Sequence, residues 1–526
     1  MIGDCAEAAF HREQRASVTG TTAKRIALVG LLAFAAVLRL WVAHFQPNLI
    51  WADEIYQVVE PAHHLVYGNG LTAWEYVLGM RSWIFPGVIA CVLWLGSLFG
   101  SDPAFKLIPV QAFMVLASLL PVAVGYRWGE RLDGIRGGLV VGGFLAVWVD
   151  LIYMASHPLS DVIAADVLML ALYTALPLTT QPGPRRLMLA GALFGLTFVL
   201  RMQLGPALFV AAAFACRRNL QAWGALAAGG AIIVLASGIL DWVTLGTPFQ
   251  SIWLNIWLNI AKGISSDYGT APPGYFLIAP VLFWGLPVAI LVFAQSVIGG
   301  RRFPALFAVA ITIFLTQSAI AHKEWRFTFP ALPLLITLCG IAVIREMNDF
   351  TGQRSSSTPR NIFAAGALLI WASASATAAA IPSYRQHWTL RSELVEAFAL
   401  ASRQPGICAL NLVDVEWVET PGSAALPMRT PIYSDLPPNT HHDPSAYNVA
   451  IGTQQVSLPN YRRVACFKGS ADMKGELQKT ACVWTRAGSC VADTAKQPPI
   501  NWPPYFANER GLARQDRLQL YLRLRD

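Results

Sequence analysis

The sequence predicts an all-α polytopic membrane protein of about eleven transmembrane helices, followed by a small α/β or mostly β domain. Three observations support this class. The 526 residues are 55% hydrophobic and only 13% charged, whereas soluble proteins average about 25% charged residues. Several windows of about 18 or more residues carry almost no charge and are therefore long enough to cross a bilayer. From residue 382 onward the composition becomes that of a soluble domain.

The chain carries a formal net charge of +8. In a polytopic membrane protein such an excess of Lys and Arg is expected in the cytoplasmic loops. A nucleic-acid surface would interleave Lys and Arg with stacking aromatic residues, and the sequence contains no such pattern. We therefore predict membrane lipid as the surroundings and no nucleic-acid partner.

Residues 1–24 are polar and basic, which predicts a cytoplasmic N-terminal tail, and the apolar run at residues 26–45 predicts the first span. A cleaved signal peptide is the alternative, but no clear small-residue cleavage site follows the apolar run. An uncleaved span delivers the next stretch of the chain to the outer face.

That next stretch, the acidic stretch at residues 51–76, reads WADEIYQVVEPAHHLVYGNGLTAWEY. Its ionisable side chains are Asp53, Glu54, Glu60, His63, His64 and Glu75. A carboxylate at the boundary of membrane and water could act as a general base, with an ordinary solvated loop acid as the alternative. The histidine pair could serve as ligands or proton relays, or could be merely interfacial.

The three apolar runs that follow, at residues 83–99, 107–126 and 138–155, raise a question of parity. If all three cross the membrane, the basic residues 127–136 lie outside. If the first run lies along the outer surface, the basic residues are cytoplasmic and SHPLSD (156–161) shares the outer face with the acidic stretch. The positive-inside rule favours the second arrangement. Pro86 also suits an interfacial helix.

Further spans are predicted near residues 162–178, 187–200, 203–215, 222–240, 276–298, 304–321, 328–345 and 361–381. Every cytoplasmic turn in this arrangement carries arginine. Residues 25–381 then form a membrane domain whose first outer loop is residues 46–103.

Residues 382–526 are expected to form an extracytoplasmic domain. ICALNLVDVEWV, YNVAIGT and RLQLYLRL (517–524) alternate or cluster apolar residues as strands do. Its four cysteines, at positions 408, 466, 482 and 490, could form disulfides, with the pairing left open. No CxxC or Cys/His pairing predicts a metal site.

The sharpest outer motif is HKEWRF, residues 322–327. Lys323 and Arg326 are three residues apart, so on a helical turn they would share one face and could clamp a phosphate. His322 and Glu324 would complete a polar network. Anchoring of the span end by basic side chains that reach the interface is the alternative.

Other polar residues fall on the same face. Residues 241–275 contain Asn255, Asn259 and Tyr268, and two tryptophans four apart predict an interfacial helix there, either anchoring or binding sugar. His157 and Asp161 lie in SHPLSD. Two arginines near span ends, at positions 39 and 201, could face a site or pair internally.

Three of these segments, in order, resemble a known family. They are EPAHHLVYGNGLTAWEY with Asp53-Glu54 before it and Arg81-Ser82 after it, DWVTLGTPFQSIWLNIWLNI with SSDYGTAPPGYF, and HKEWRFTFPALPL. Together they are similar to the signatures of glycosyltransferase family 22, GT-C α-mannosyltransferases of N-glycan and GPI-anchor assembly. The resemblance covers roughly residues 25–345. Where the family commonly has His-Pro before the acidic pair, this chain has Trp51-Ala52.

The resemblance implies a GT-C fold and inverting transfer from dolichyl- or polyprenyl-phosphate mannose, giving an α-mannoside. Asp53 would be the base, with Glu54 as substitute. His322, Lys323 and Arg326 would hold the donor phosphate, and Glu324 would orient them. No cofactor or metal is required. Further candidate substrate contacts are Glu60, His63, His64, Arg81, His157, Asp161, Asn255, Asn259 and Tyr268.

Several alternatives stay open at this point. The acceptor could be a glycan, a glycolipid or a protein, and the sugar could instead be galactose or arabinose. A lipid or glycan transporter would carry polar residues at mid-span, whereas here they cluster at the outer span ends. The lack of an N-x-S/T sequon and of a retrieval ending favours a bacterial inner membrane with a periplasmic site over the ER membrane.

Overall fold

The computed structural model describes residues 2–71, 73–100, 102–177, 182–352, 357–427, 429–435, 443–469 and 480–491, with side chains from residue 21 onward. The helices before residue 160 are α1 (Ile2–Phe45), α2 (Ala52–Glu54), α3 (Glu60–Tyr67), α4 (Trp74–Leu78), α5 (Ile84–Ser97), α6 (Ala104–Ala117), α7 (Leu119–Val147) and α8 (Val149–Tyr153). The middle helices are α9 (Ser160–Ala175), α10 (Pro184–Leu200), α11 (Gly205–Cys216), α12 (Leu220–Leu245) and α13 (Gln250–Ile256). The remaining helices are α14 (Tyr275–Trp284), α15 (Leu286–Arg302), α16 (Pro304–Ala319), α17 (Leu332–Thr351), α18 (Ser357–Ala380), α19 (Pro382–Arg385) and α20 (Ser392–Ser402).

Among the described residues, five helical stretches are long and apolar enough to cross a membrane: Thr21–Phe45, Ala104–Val147, Leu220–Leu245, Trp325–Thr351 and Ser357–Ala380. A sixth is obtained if Val149–Ser156 and Ser160–Ala175, bent by 118°, form one broken span. The sequence-based count of about eleven is larger because it includes apolar runs that fold as shorter helices. Residues 276–298, for example, are split into α14 and α15 at Gly285, whose φ of 77° ends the first helix.

The helix α7 turns back on itself at Asp133 and Gly134, where φ is −148° and 59°. Its two arms touch backbone to backbone, since a Cβ on Gly129 would lie 2.1 Å from the carbonyl oxygen of Gly137. The basic residues 127–136 thus form the turn of a helical hairpin, in agreement with the turn predicted between two antiparallel runs. On which side of the membrane this turn lies stays a prediction.

The helix α5 has 14 residues. At about 1.5 Å per residue it is roughly 21 Å long, shorter than the hydrocarbon core of about 30 Å. It packs against α3 and α6, and it agrees with the prediction that residues 83–99 do not form a span.

The C-terminal region is built on a five-stranded sheet in the order β2-β1-β3-β5-β4. The strands are β1 (Leu410–Val413), β2 (Ile432–Ser434), β3 (Val449–Thr453), β4 (Arg462–Lys468) and β5 (Thr480–Thr485). β1 pairs parallel with β2 and β3, while β5 pairs antiparallel with β3 and β4. Apolar residues of α20 pack on the sheet. The strand predicted at residues 517–524 lies outside the described residues.

The cysteines of this region are paired as Cys408–Cys490 and Cys466–Cys482. Disulfides are therefore formed where the sequence had left their pairing open. The second one joins neighbouring strands, since Cys466 of β4 lies opposite Cys482 of β5.

The C-terminal region also docks on the acidic stretch and its neighbours. The Lys106 ammonium donates to the carbonyl oxygen of Leu426 at 2.7 Å, and the Leu49 amide donates to the carbonyl oxygen of Leu390 at 3.0 Å. Arg391 donates to the carbonyl oxygen of Ile50 at 2.8 Å. These contacts hold both ends of the first outer loop against a part of the chain more than 300 residues away.

Candidate functional site

The acidic pair lies at the start of a continuous helical stretch that runs from Ala52 to Tyr67. α2 passes into a π-helical segment, Ile55–Val59, and then into α3, which ends at Gly68 with φ of 75°. Such π-turns widen a helix and often occur at functional sites. Asp53 and Gln57, four residues apart, face one cavity, whereas Glu54 points to another side.

The guanidinium of Arg326 is the centre of the site. It donates to Asp53 Oδ2 at 2.5 Å and, through Nε, to Glu324 Oε2 at 2.7 Å. Asp161 Oδ2 lies 3.9 Å from its remaining nitrogen. The side chain of Arg326 is 6% exposed, so these charged hydrogen bonds act in surroundings that screen them little. Residues 273 positions apart in the sequence are thereby joined.

Glu324 links Arg326 to His322. His322 Nε2 lies 3.0 Å from Glu324 Oε1, and His322 Nδ1 lies 2.8 Å from the carbonyl oxygen of Gly269. The hydrogen bond to Glu324 raises the pKa of His322, although burial works against this. Burial alone would raise the pKa of Glu324, but Arg326 and His322 outweigh it and lower that pKa well below its usual range. The three side chains therefore form one continuous hydrogen-bonded network.

Glu54 and Asp161 are buried and each has a polar partner close by. Glu54 Oε2 lies 2.5 Å from His157 Nδ1, and its other oxygen accepts the Ile50 amide at 3.2 Å. Asp161 lies 2.8 Å from Arg201 Nε and is fully buried. Both pairs brace the walls of the site, because the first joins the acidic stretch, and the second joins the end of α10, to the bent segment around residues 156–161.

A cavity of about 730 Å³, counted to its open mouth, lies beside Arg326. Its polar lining consists of Asp53, Gln57, Arg81, Ser82, Ser160, Arg201, Gln203, Ser251, Asn255 and Arg326. The Nε atom of Arg81 is buried and, among the described residues, has no hydrogen-bond partner. Convergent guanidinium groups favour an anion, and phosphate in particular, because their forked donors match its oxygens.

Several other predicted residues lie in or near this cavity. Asn255 lines it and donates to the Met80 carbonyl oxygen at 3.3 Å, and Asn259 donates to Asn255 at 2.9 Å. The ring of Tyr268 lies 6.4 Å from that of His322. Burial raises the pKa of Tyr268, and the acids Glu75 and Asp53 raise it further.

The structure does not bring Glu60, His63 or His64 to the cavity. Glu60 is fully buried and accepts the amides of Leu71, at 2.6 Å, and Ser423. Burial raises its pKa to about 7, against the effect of those amides. His63 is also buried and lies 3.0 Å from the Asn69 carbonyl oxygen, and burial together with nearby Lys106 lowers its pKa to about 4. His64 is exposed.

Lys323 is placed differently from the expectation. The helical turn predicted for HKEWRF is absent up to Glu324, whose φ of −128° and ψ of 148° are extended, and the 3-10 segment begins at Trp325. Lys323 and Arg326 consequently do not share a helical face. The ammonium group of Lys323 donates to the carbonyl oxygens of Ala271, at 2.9 Å, and Ile320. It holds neighbouring backbone together and does not line the cavity.

Sequence reasoning missed or left open several contributors. Arg201 lines the cavity, whereas Arg39 pairs internally through the Leu145 carbonyl oxygen at 3.2 Å. Gln57 could have been found from its position four residues after Asp53 on a helix. The Trp51 departure from the family pattern places an indole ring 5.4 Å from the Arg326 guanidinium, a cation–π contact. Within the described ranges, no group of three or more His, Cys, Asp or Glu side chains is arranged to hold a metal ion.

The chain is similar to known mannosyltransferases over much of its length. The family model described as the Alg9-like mannosyltransferase family matches residues 31–427. The Xenopus laevis protein named GPI alpha-1,2-mannosyltransferase 3 is 25% identical over 308 residues, 55% of each chain. GPI mannosyltransferase 3 of Drosophila melanogaster is 27% identical over 310 residues, 56% of this chain and 52% of its own. The chain thus matches only about half the length of these curated relatives.

Among solved structures, ArnT from Cupriavidus metallidurans bound to undecaprenyl phosphate superposes with a TM-score of 0.56 and 15% identity, over 88% of this chain and 98% of that one. Its apo form gives 0.53 and 14% identity. The predicted GT-C architecture, a helical membrane region followed by a small sheet domain, is confirmed by this match at the level of the fold.

Proposed function

Because the chain belongs to the Alg9-like mannosyltransferase family, we propose that it transfers a mannosyl residue from a polyprenyl- or dolichyl-phosphate donor to an acceptor hydroxyl group. The acceptor is a glycan, a glycolipid or a protein. The observation that supports this most is the cavity in which Asp53 meets Arg81, Arg201 and Arg326. It offers one carboxylate for a proton and three guanidinium groups for a phosphate.

We assign the general base to Asp53. Its side chain is 31% exposed and lines the cavity, whereas Glu54 is buried and engaged with His157 and the Ile50 amide. A general base must reach the proton that it removes, and access decides between the two acids before any difference in basicity. Glu54 then acts by holding the bend at His157.

The donor phosphate is assigned to Arg81, Arg201 and Arg326. Of the three residues expected from the sequence, His322, Lys323 and Arg326, this assignment keeps only Arg326. In the present arrangement Arg326 is bound to Asp53. An arriving phosphate competes with that carboxylate for the guanidinium, and Arg81 in the cavity lining supplies a further guanidinium group. Donor binding would therefore release Asp53 toward the acceptor.

The reaction that follows is a single displacement. The acceptor oxygen attacks the anomeric carbon, the bond from that carbon to the phosphate oxygen breaks, and the lipid phosphate leaves with the electron pair. The acceptor proton passes to Asp53. Attack from the face opposite the leaving group inverts the β-linked donor to an α-mannoside. Fixed cations near the leaving phosphate stabilise the developing charge in the transition state.

We place the site on the outer face of the membrane, which for a bacterial protein is the periplasmic face of the inner membrane. Arg326, Asp161 and Asp53 lie at the ends of apolar helical stretches and not within them. This supports an enzyme that works at the membrane boundary, where a lipid-linked donor carries its headgroup, over a transporter with a mid-membrane site.

The test is direct. Purified protein is offered polyprenyl phosphates carrying mannose, galactose or arabinose, and sugar transfer or donor hydrolysis is measured. Turnover of the mannosyl donor supports the proposal. If only the galactosyl or the arabinosyl donor is turned over, the cavity is still a sugar-transfer site but the assignment of mannose as the transferred sugar is wrong. An Asp53→Asn variant, assayed in parallel, separates enzymatic turnover from contamination.

A further inference from the structure

The carboxylate of Asp150 collects four hydrogen bonds from four separate segments of the fold. The indole nitrogens of Trp148 and Trp284 each donate to Oδ2 at 2.8 Å. The indole nitrogen of Trp325 donates to Oδ1 at 3.1 Å, and the Tyr384 hydroxyl donates to the same oxygen at 3.2 Å. A carboxylate offers about four acceptor positions, so Asp150 is saturated and cannot itself serve as an acceptor for substrate.

The group is buried, with Asp150 only 2% exposed. Burial of a carboxylate is unfavourable, and apolar replacements of buried charged groups are often no less stable. Simple packing of α8, α14, the 3-10 segment and α19 could therefore be achieved by apolar side chains. A buried carboxylate does what apolar side chains cannot: it fixes the orientation of each side chain that donates a hydrogen bond to it.

Trp325 is the donor that matters for the site, because it stands between Glu324 and Arg326 in the chain. Its ring is stacked on Phe283, with centroids 5.5 Å apart and an interplanar angle of 24°, and meets Trp284 edge to face at 5.4 Å. Packing against these two rings therefore holds the indole in place, and the hydrogen bond to Asp150 fixes its orientation. Its neighbour Arg326 leaves the backbone toward Asp53 and the arginine-lined cavity.

Asp150 and Arg326 also line the same cavity, which is distinct from the one beside Asp53. A second cavity, of about 380 Å³ counted to its mouth, has both residues in its lining together with Trp51, Tyr153 and Trp325. Asp150 and the cation that we assign to the donor phosphate thus border the same second cavity.

We propose that Asp150 is a positioning residue for sugar transfer: through the indole of Trp325 it fixes the backbone that carries Glu324 and Arg326. It touches neither substrate nor reacting atoms. The inference rests on the proposed function for its kinetic part. Its structural part, the coupling from Asp150 to the 322–331 segment, is independent of which sugar is transferred.

The experiment compares variants that lose the same kind of bond in different places. Asp150→Asn keeps the size but turns an amide nitrogen toward two donors. Trp325→Phe removes the donor that leads to the site. Trp148→Phe is the matched control, because it removes an indole donor to the same carboxylate at a fully buried position that is not next to the site.

We expect Asp150→Asn and Trp325→Phe each to lower kcat and to raise the donor KM, so that kcat/KM falls at least tenfold, because Arg326 is assigned to the donor phosphate. The double variant should be no slower than Asp150→Asn, because both changes break one linkage. Trp148→Phe should lower the melting temperature yet keep kcat within about twofold. Multiplicative effects in the double variant, or an equal loss of kcat in Trp148→Phe, would overturn the assignment.

Hydrogen–deuterium exchange of peptides covering residues 320–331 gives a second readout that needs no substrate. Exchange should rise in Asp150→Asn and in Trp325→Phe but not in Trp148→Phe. If the wild-type protein transfers no mannose, the proposed function fails while this measurement still decides the coupling. If Asp150→Asn does not fold, Trp325→Phe against Trp148→Phe carries the comparison, and equal exchange in those two variants would contradict the inference.

Discussion

The helical stretch from Ala52 to Tyr67 has two halves that are alike in composition and different in surroundings. Its first half, residues 52–59, holds Asp53 and Glu54, and its second half, residues 60–67, holds Glu60 and His63. Asp53 meets Arg326 at the edge of a cavity. Glu60 meets the amide of Ser423 in the C-terminal region. The first half therefore serves the site, and the second anchors the stretch that carries it.

This contrast shows that an ionisable cluster in an apolar chain can be divided between chemistry and architecture within a few residues. Both carboxylates have hydrogen-bond partners. Asp53 pairs with Arg326 and its side chain stays partly exposed, whereas Glu60 is fully buried and accepts hydrogen bonds from backbone amides. Access to the cavity distinguishes the two halves. Each prediction below tests one side of this division.

The largest effect is expected for the first half. Asp53→Asn removes the proposed base, and loss of a general base typically costs about 10²- to 10⁴-fold in rate. Transfer from polyprenyl-phosphate mannose, measured with purified protein, should fall by that amount, while the melting temperature falls as well because the buried Arg326 loses its charged partner. Glu60→Gln is the control from the second half and should retain transfer at pH 7.5. Full activity in Asp53→Asn would remove the assignment of the base.

The next effect concerns the cation that binds donor. Arg81→Ala removes charged hydrogen bonds worth about 1.5–3 kcal/mol each, so the donor KM should rise roughly 10- to 150-fold. The donor KM of Arg81→Lys should lie between those of the wild type and Arg81→Ala, because an ammonium group keeps the charge but not the forked pair of donors.

Lys323→Ala should leave the donor KM unchanged and lower the melting temperature, since the ammonium group of Lys323 binds backbone carbonyl oxygens. A raised donor KM in Lys323→Ala alone would restore the phosphate role first expected for it.

The second half should show its role in stability. Burial raises the pKa of Glu60 from about 4.5 to about 7, so the folded protein holds this proton more tightly than the unfolded chain. The contribution to stability is complete below the unfolded pKa and is lost as pH rises through 7, by about 3 kcal/mol. Thermal unfolding in detergent between pH 4.5 and 8 should show this decline in the wild type and a flatter profile in Glu60→Gln. Parallel profiles would contradict it.

The smallest effect lies at the edge of the site. The pKa of His322 is raised by its hydrogen bond to Glu324, so its charge persists above the usual pKa of about 6.5 and is lost as pH rises further. A partly exposed pair is worth up to about 1 kcal/mol, or about fivefold in rate. His322→Gln should lower kcat by no more than that and remove this alkaline decline from the pH–rate profile. An unaltered profile would show that another group causes it.

Much of this could be predicted from the sequence. Long apolar runs predict helices that cross or line a membrane, because a helix satisfies its backbone hydrogen bonds in lipid within a single segment. The basic residues 127–136 marked a turn, and the soluble composition after residue 382 marked the sheet region. HKEWRF and the acidic pair, 270 residues apart, were both recognised as parts of one site from charge placement and family resemblance.

Only the tertiary structure decided how that site is connected. Nothing local distinguishes Asp53 from Glu60, or Arg201 from Arg39, because each choice depends on what a distant segment places opposite the side chain. The extended backbone at Glu324 turned Lys323 away from Arg326, and Asp150 acquired four donors from segments spread over more than 230 residues. The sequence alone predicted a membrane protein with one acidic stretch on its outer face. Long-range hydrogen bonds and burial, which no local pattern encodes, decided which half of that stretch lines the cavity.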